Sequence, residues 1–156
     1  MPTRIVKGDL FHTPGIQAFV HGCNCAGAMD TGVSVAFKKR WPGMFADYAA
    51  RCADGRVHLG DVLVWSEGEV SVYSLAIQEH WKTRAKLAAL TRALRRMVSL
   101  AEHGGITQVG VPRIGAGNGG LDWTRVKSVL EQVGGETQVT LVVFEQFVRA
   151  EGEGKP

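Results

Sequence analysis

Short apolar runs bounded by glycine, proline and small polar residues recur along the chain, and between several of them the apolar positions step by threes and fours instead of twos. Arg4 to Val6 is a short strand candidate closed by Lys7-Gly8-Asp9, and Ile16 to His21 reads as a second strand running into H-G-C-N-C-A-G. Small and polar residues continue to Gly32, after which Val33, Phe37 and Trp41 fall at helical spacing until Pro42 stops the pattern. Val62 to Trp65 and Val70 to Ile77 predict a hairpin around the turn Ser66-Glu67-Gly68. From Lys82 to Glu102 the residues Leu87, Leu90, Leu94, Met97 and Ala101 form one apolar stripe, and Gly104-Gly105 ends it. Val109 to Pro112 reads as a buried strand followed by the loop R-I-G-A-G-N-G-G. Asp122 is placed as N-cap of a helix to about Val133, and Val139 to Phe144 is the last strand.

Strands alternating with helices predict an α/β protein, a three-layer sandwich around a mostly buried sheet. Both glycine-rich loops follow a strand and precede a helix, so they are expected at one edge of that sheet, where helix N-termini expose unpaired N–H groups. Such a crevice suits phosphate. The 156 residues fit a single domain with one pocket, expected over 1–149, with a flexible glycine-rich, charged tail at 150–156.

Composition changes this picture at one point. Apolar residues at 45% and charged residues at 21% are ordinary for a globular chain and exclude general disorder, and a net charge of +3 implies no global affinity for polyanions. Three cysteines, with no signal peptide at the start, suggest a reducing cytoplasmic setting. No apolar run approaches the roughly 18 residues of a membrane span, so no membrane association is expected. Glycine is the exception: 20 of 156 residues, nearly twice the usual share of about 7%. The glycines cluster between Gly104 and Gly120 without a three-residue period, which points to close approach of backbone to a ligand.

Gly115, Gly117 and Gly120 satisfy G-x-G-x-x-G, and Glu145 could supply the acidic partner of a ribose. Yet only eleven residues follow Glu145, a single βαβ unit where a dinucleotide domain needs several, so the Rossmann reading is disfavoured. A P-loop is excluded because no Gly-Lys-Ser/Thr follows. What survives is a loop poor in Cβ atoms that can wrap its amides around a diphosphate. His21, Cys23, Cys25 and Cys52 could be combined as a zinc set, but C-x-C is not the usual structural spacing, and neither metal nor cofactor is expected.

The segments V-K-G-D-L (Val6 to Leu10), H-G-C-N-C-A-G-A-M-D-T-G-V (His21 to Val33) and V-P-R-I-G-A-G-N-G-G-L-D-W (Val111 to Trp123) together resemble the signature segments of macrodomains, in order and spacing. The resemblance implies an α/β/α sandwich with a central mixed sheet that binds ADP-ribose. It is closest to the branch of the terminal ADP-ribose protein glycohydrolase and the ADP-ribose 1''-phosphate phosphatases. Carried over by position, Asp9, with Leu10 beside it, would receive the adenine amino group, and Asn24 would contact the distal ribose. Gly27, Thr31, Gly32 and Val33 would pass close to the ribose and proximal phosphate. Ile114, Gly115, Ala116, Gly117, Asn118 and Gly119 would present amides to the diphosphate and distal ribose.

The chain departs from that branch where its chemistry resides. Gln78 stands at the position of the glycohydrolase lysine that attacks the anomeric carbon, and Gly119 at that of the aspartate; neither substitute can do that chemistry. A shifted pair, Lys82 and Asp122, is one alternative. Another is a water oriented beside the distal ribose by Asp30 or His80. His21 is a candidate acid or base for the phosphatase reaction. Arg92, Arg95 and Arg96, flanked by Lys86, read as a solvated helix face that a nucleic-acid acceptor could use. The expectation is a monomer that binds ADP-ribose and removes it from a modified protein or nucleic acid, with the phosphatase and a non-catalytic reader as alternatives.

Overall fold

The computed structural model describes residues 3–148, so the tail expected at 150–156 lies outside the described residues. The elements run β1 (Arg4–Gly8), a 3-10 turn (Leu10–His12), β2 (Ala18–Asn24), α1 (Val33–Arg40), α2 (Pro42–Ala53), β3 (Val62–Glu67), β4 (Val70–Gln78), α3 (Leu87–His103), β5 (Gln108–Val111), α4 (Trp123–Gly135) and β6 (Thr140–Phe147). The strands form one sheet in the order β1-β6-β5-β2-β4-β3. Neighbours are parallel except for the antiparallel β3–β4 hairpin, so the sheet is mixed.

Strand side chains alternate between two cores. Tyr73, Leu75 and Ile77 of β4, with Leu141 and Val143 of β6, meet the stripe Leu90, Leu94, Met97 and Ala101 of α3 and Val126 and Leu130 of α4. Val72 and Ala76, with Val142 and Phe144, pack instead against Phe37 and Trp41 and against Met44 and Tyr48 of α2. A sheet apolar on both faces must be covered on both, and the three layers follow. Among the described residues, no helix is long and apolar enough to cross a membrane.

Three local readings are corrected. Pro42 ends α1 but also opens α2, a helix absent from the expected pattern; proline is tolerated at the first helical position, where its missing N–H would have no partner anyway. The hairpin turn is Gly68-Glu69, one residue later than expected, because Glu67 still pairs with Val70 and Gly68 takes the left-handed φ of 61°. The third helix starts at Leu87, not Lys82. Residues 82–86 are drawn off the helix by bonds to other segments: the Ala85 amide donates to the Gly119 carbonyl at 2.9 Å and the Lys86 amide to the Ile77 carbonyl at 2.8 Å.

Candidate functional site

Parallel strands β2 and β5 are neighbours, yet the chain leaves β2 for α1 on one face and β5 for α4 on the other. Diverging connections open a crevice at the C-terminal ends of the strands. A cavity of about 500 Å³ fills it, walled by Asn24 and residues 28–34 of the first loop, by residues 112–119 of the second, and by Gln78 and Trp81 beyond β4. A second cavity of about 690 Å³ lies toward β1 and β6, lined by Asp9, Leu10, Arg40, Phe144 and Phe147. The two share Val33, Pro112 and Arg113 and form one continuous cleft. A third hollow of about 440 Å³, lined by Gln17, Tyr73 and Leu100, holds none of the sequence-predicted residues.

The second loop is a wall of backbone. Its turns use the Ile114, Ala116, Gly120 and Leu121 amides internally, whereas those of Gly115, Gly117, Asn118 and Gly119 donate to no partner among the described residues. Gly115 has φ of 75°, a conformation that L side chains rarely adopt. At Gly119 a Cβ would stand 2.7 Å from the Gly115 carbonyl oxygen and 3.0 Å from Ala85 Cβ, so this loop has no room there for the aspartate of the resembling branch. Across the cavity, Gly32 starts α1 without a side-chain cap, leaving the first-turn amides of Val33 and Ser34 open. Two sets of unpaired donors thus line one space, an arrangement that attracts an anion.

Asn24 organises the first loop. Its Oδ1 accepts from the Ala26 amide at 2.9 Å and the Ala28 amide at 3.3 Å, and its Nδ2 donates to the Ala28 carbonyl at 2.9 Å. The buried Tyr48 hydroxyl lies 2.7 Å from the Asn24 carbonyl and 2.8 Å from Oδ1, so α2 locks the residue in place. One Nδ2 hydrogen remains for a ligand. Tyr48 was missed from sequence; proline at a helix start followed by Met44 and Tyr48 four apart was the available signal. Gly27 does not line the cleft but packs toward α2, where its Cβ would stand 3.4 Å from Cys52 Cβ. Asp30 does line it, exposed, with Lys38 Nζ at 3.5 Å. Thr31 lies beside it on the same loop.

The other candidates separate. Asp9 is buried at the second cavity, where Oδ1 accepts from the Phe11 amide and Oδ2 meets His12 Nδ1, each at 3.1 Å. His21 is fully buried outside the cleft, and burial lowers its pKa from 6.5 to about 3. Gln78 faces the cavity and donates through Nε2 to the Thr83 carbonyl. His80 stacks on Trp81, and its Nδ1 accepts from the Lys82 amide at 3.1 Å. Lys82 is exposed outside the cavity lining, and Asp122 caps α4 by accepting from the Thr124 amide at 3.0 Å, so the cleft does not bring this pair together. Glu145, at the second cavity, accepts from Trp123 Nε1 and Lys127 Nζ at 2.9 Å each, and these bonds hold its carboxyl below its usual range. Burial raises all three thiols, Cys25 to about 11, and among the described residues no group of His, Cys, Asp and Glu is arranged to hold a metal.

The family model of the Macro domain matches residues 20–130, the stretch that builds both loops. The chain belongs to the macrodomain family. Among solved structures, the macrodomain of Mycobacterium tuberculosis DarG superposes on it with a TM-score of 0.83 at 30% identity, over 95% of this chain and 99% of that one. The full-length mycobacterial protein, named a DNA ADP-ribosyl glycohydrolase, is 34% identical over 128 residues, 80% of this macrodomain. This macrodomain spans only 36% of that protein's length. The human ADP-ribose glycohydrolase OARD1 is 27% identical over 139 residues, covering 89% of this chain and 88% of its own.

Proposed function

We propose that this macrodomain binds ADP-ribose along the continuous cleft and hydrolyses it from a modified macromolecule. The observation that carries the binding is the pair of unpaired amide sets, Gly115 and Gly117 to Gly119 opposite Val33 and Ser34, which suits a diphosphate in a cleft that Arg113 also lines. Adenine then lies in the second cavity with Asp9 accepting from its amino group, and the distal ribose lies beside the free Nδ2 hydrogen of Asn24. The names of the relatives support hydrolysis.

Gln78 and Gly119 remove the amine nucleophile and the carboxylate of the covalent route. Asp30 is the carboxylate that lines the distal cavity, and we assign it the water. Water adds to the anomeric carbon as the bond to the acceptor breaks with its electron pair; Asp30 takes the water's proton, and solvent protonates the departing acceptor atom. The burial of His21 speaks against its use as acid or base in a phosphatase reaction. Gln78 and Gly119 also favour a second reading, a reader that binds without turnover.

Calorimetry with ADP-ribose tests binding, and the absence of heat at millimolar ligand discards the proposal. Turnover is tested with ester-linked, base-linked and 1''-phosphate substrates. Asp30→Asn is expected to lower kcat by about 10² to 10⁴ with KM little changed; an unaltered kcat removes Asp30 from the mechanism. Binding with no turnover of any substrate leaves the reader.

A further inference from the structure

We infer that the second cavity holds a phosphate site of its own: Lys39 and Arg40 at the end of α1 and Arg113 on the second loop converge on a phosphate monoester at the 2' hydroxyl of the ribose that carries adenine. The ligand this cleft prefers is then ADP-ribose 2'-phosphate; the inference rests on the ADP-ribose reading above.

ADP-ribose carries its negative charge on the diphosphate alone, and its adenosine half is neutral. The open amides of the second loop and of the α1 N-terminus answer that diphosphate in the distal cavity. Lys39 and Arg40 line the second cavity and not the distal one, so they stand at the neutral end of the ligand. At about 690 Å³ this cavity is of the size that takes a whole drug-sized ligand, more than one bicyclic base fills. Carbon 2' adjoins the carbon that bears the base, so a group on it stays with adenine in the second cavity. The 5' oxygen leads instead past Val33, Pro112 and Arg113 to the diphosphate. A 2'-phosphate thus lies at the opposite end of the ligand from a 1''-phosphate on the distal ribose.

The cations are available to it. Arg40 Cζ lies 5.2 Å from the Phe11 ring centre and 5.8 Å from that of Trp41, and Arg113 Cζ lies 4.9 Å from that of Trp123. Both guanidinium groups are held over aromatic rings. Among the described residues, the side chains of Lys39, Arg40 and Arg113 form no hydrogen bond or ion pair. The cavity's two carboxylates are answered by other groups: Asp9 Oδ2 meets His12 Nδ1 at 3.1 Å, and Glu145 accepts from Trp123 Nε1 and Lys127 Nζ at 2.9 Å each, with Arg113 a weaker influence on its carboxyl. Cations in the last turn of α1 suit the helix dipole, which accounts for basic residues at 38–40. Lys38, however, pairs with Asp30 at 3.5 Å, and Arg113 reaches the cavity from a different element. Guanidinium groups from two elements around one space match phosphate oxygens, as arginine does at the 2'-phosphate of NADP sites.

Calorimetry at low salt compares ADP-ribose 2'-phosphate with ADP-ribose. The phosphorylated ligand is expected to bind about tenfold tighter, an advantage that shrinks as salt rises. Equal or weaker binding of it overturns the inference. The ratio should fall to near one in the double variant Lys39→Gln/Arg40→Gln, and it should fall in Arg113→Ala. A ratio that survives either change overturns the inference, including when both ligands weaken together, as they would if Arg40 only stacked on the base. If free ADP-ribose does not bind, the reading of the cleft has failed separately. Adenosine 2',5'-bisphosphate against adenosine 5'-phosphate then reads the second cavity without the distal half, and equal affinity for the two, or none for either, overturns the inference as well.

Discussion

His21 illustrates how its surroundings decide what a residue can do. Nε2 lies 2.8 Å from Ser74 Oγ, Nδ1 lies 3.3 Å from Ser34 Oγ, and the ring stacks on Phe37 at 4.5 Å. A neutral imidazole can donate through one nitrogen and accept through the other, whereas protonation makes both donors and buries a charge. The folded protein therefore refuses a proton until pH about 3, while the unfolded chain takes it up near 6.5. Stability from this group is complete above pH 6.5 and falls as pH drops toward 3, by about 1.4 kcal/mol per pH unit. Urea titrations between pH 7 and 4 should show this fall, and His21→Gln should lack it; equal slopes in both proteins would rule out His21 as its source. In the sequence a histidine at a strand end reads more often as a partly buried structural residue than as a catalyst, and the sequence could not decide between them because burial depends on what α1 lays over it.

At the scale of elements, the loop after β5 and the helix α2 carry the site in different ways. The loop was legible because glycine density is a local property: seven residues with few Cβ atoms can turn amides inward whatever surrounds them. Gly119→Ala tests how tightly the loop is set. Its methyl would meet the Gly115 carbonyl oxygen at 2.7 Å, so backbone must shift. Amide hydrogen bonds lose strength steeply with distance and angle, and ADP-ribose affinity is expected to fall about tenfold by calorimetry. An unchanged affinity would mean that these amides do not hold the ligand. Helix α2 was illegible because Pro42 reads equally as a stop and as a start, and only Tyr48 reaching Asn24 reveals that the first loop depends on it.

At the scale of the whole molecule, the cleft joins segments from most of the chain, from Asp9 to Phe147, so a ligand filling it binds the folded state alone. ADP-ribose at a hundred times its Kd should stabilise the fold by about 2.7 kcal/mol and raise Tm by about 5–10 °C. Scanning calorimetry measures the shift, and an unmoved Tm would contradict binding to the native cleft. That the two glycine loops share one edge was predictable as a consequence of chain logic: a strand followed by a glycine loop and a helix puts its loop at the strand's C-terminal end in any parallel sheet.

The periods of apolar residues determined by themselves which faces are buried, because burial on one face of a helix or both faces of a strand leaves a local imprint on side-chain type. Glycine and short polar residues likewise marked the two loops. Tertiary structure alone decided the neighbours. The order β1-β6-β5-β2-β4-β3 seats Asn24 and Gln78 on adjacent strands and brings Gly119 opposite them, although any other order would satisfy the same apolar pattern. It also decided that His21 is sealed while Trp81 is left exposed at the cavity. Pairing between distant strands depends on packing and register across the fold, and it is this pairing that turns two amide-rich loops into one cleft.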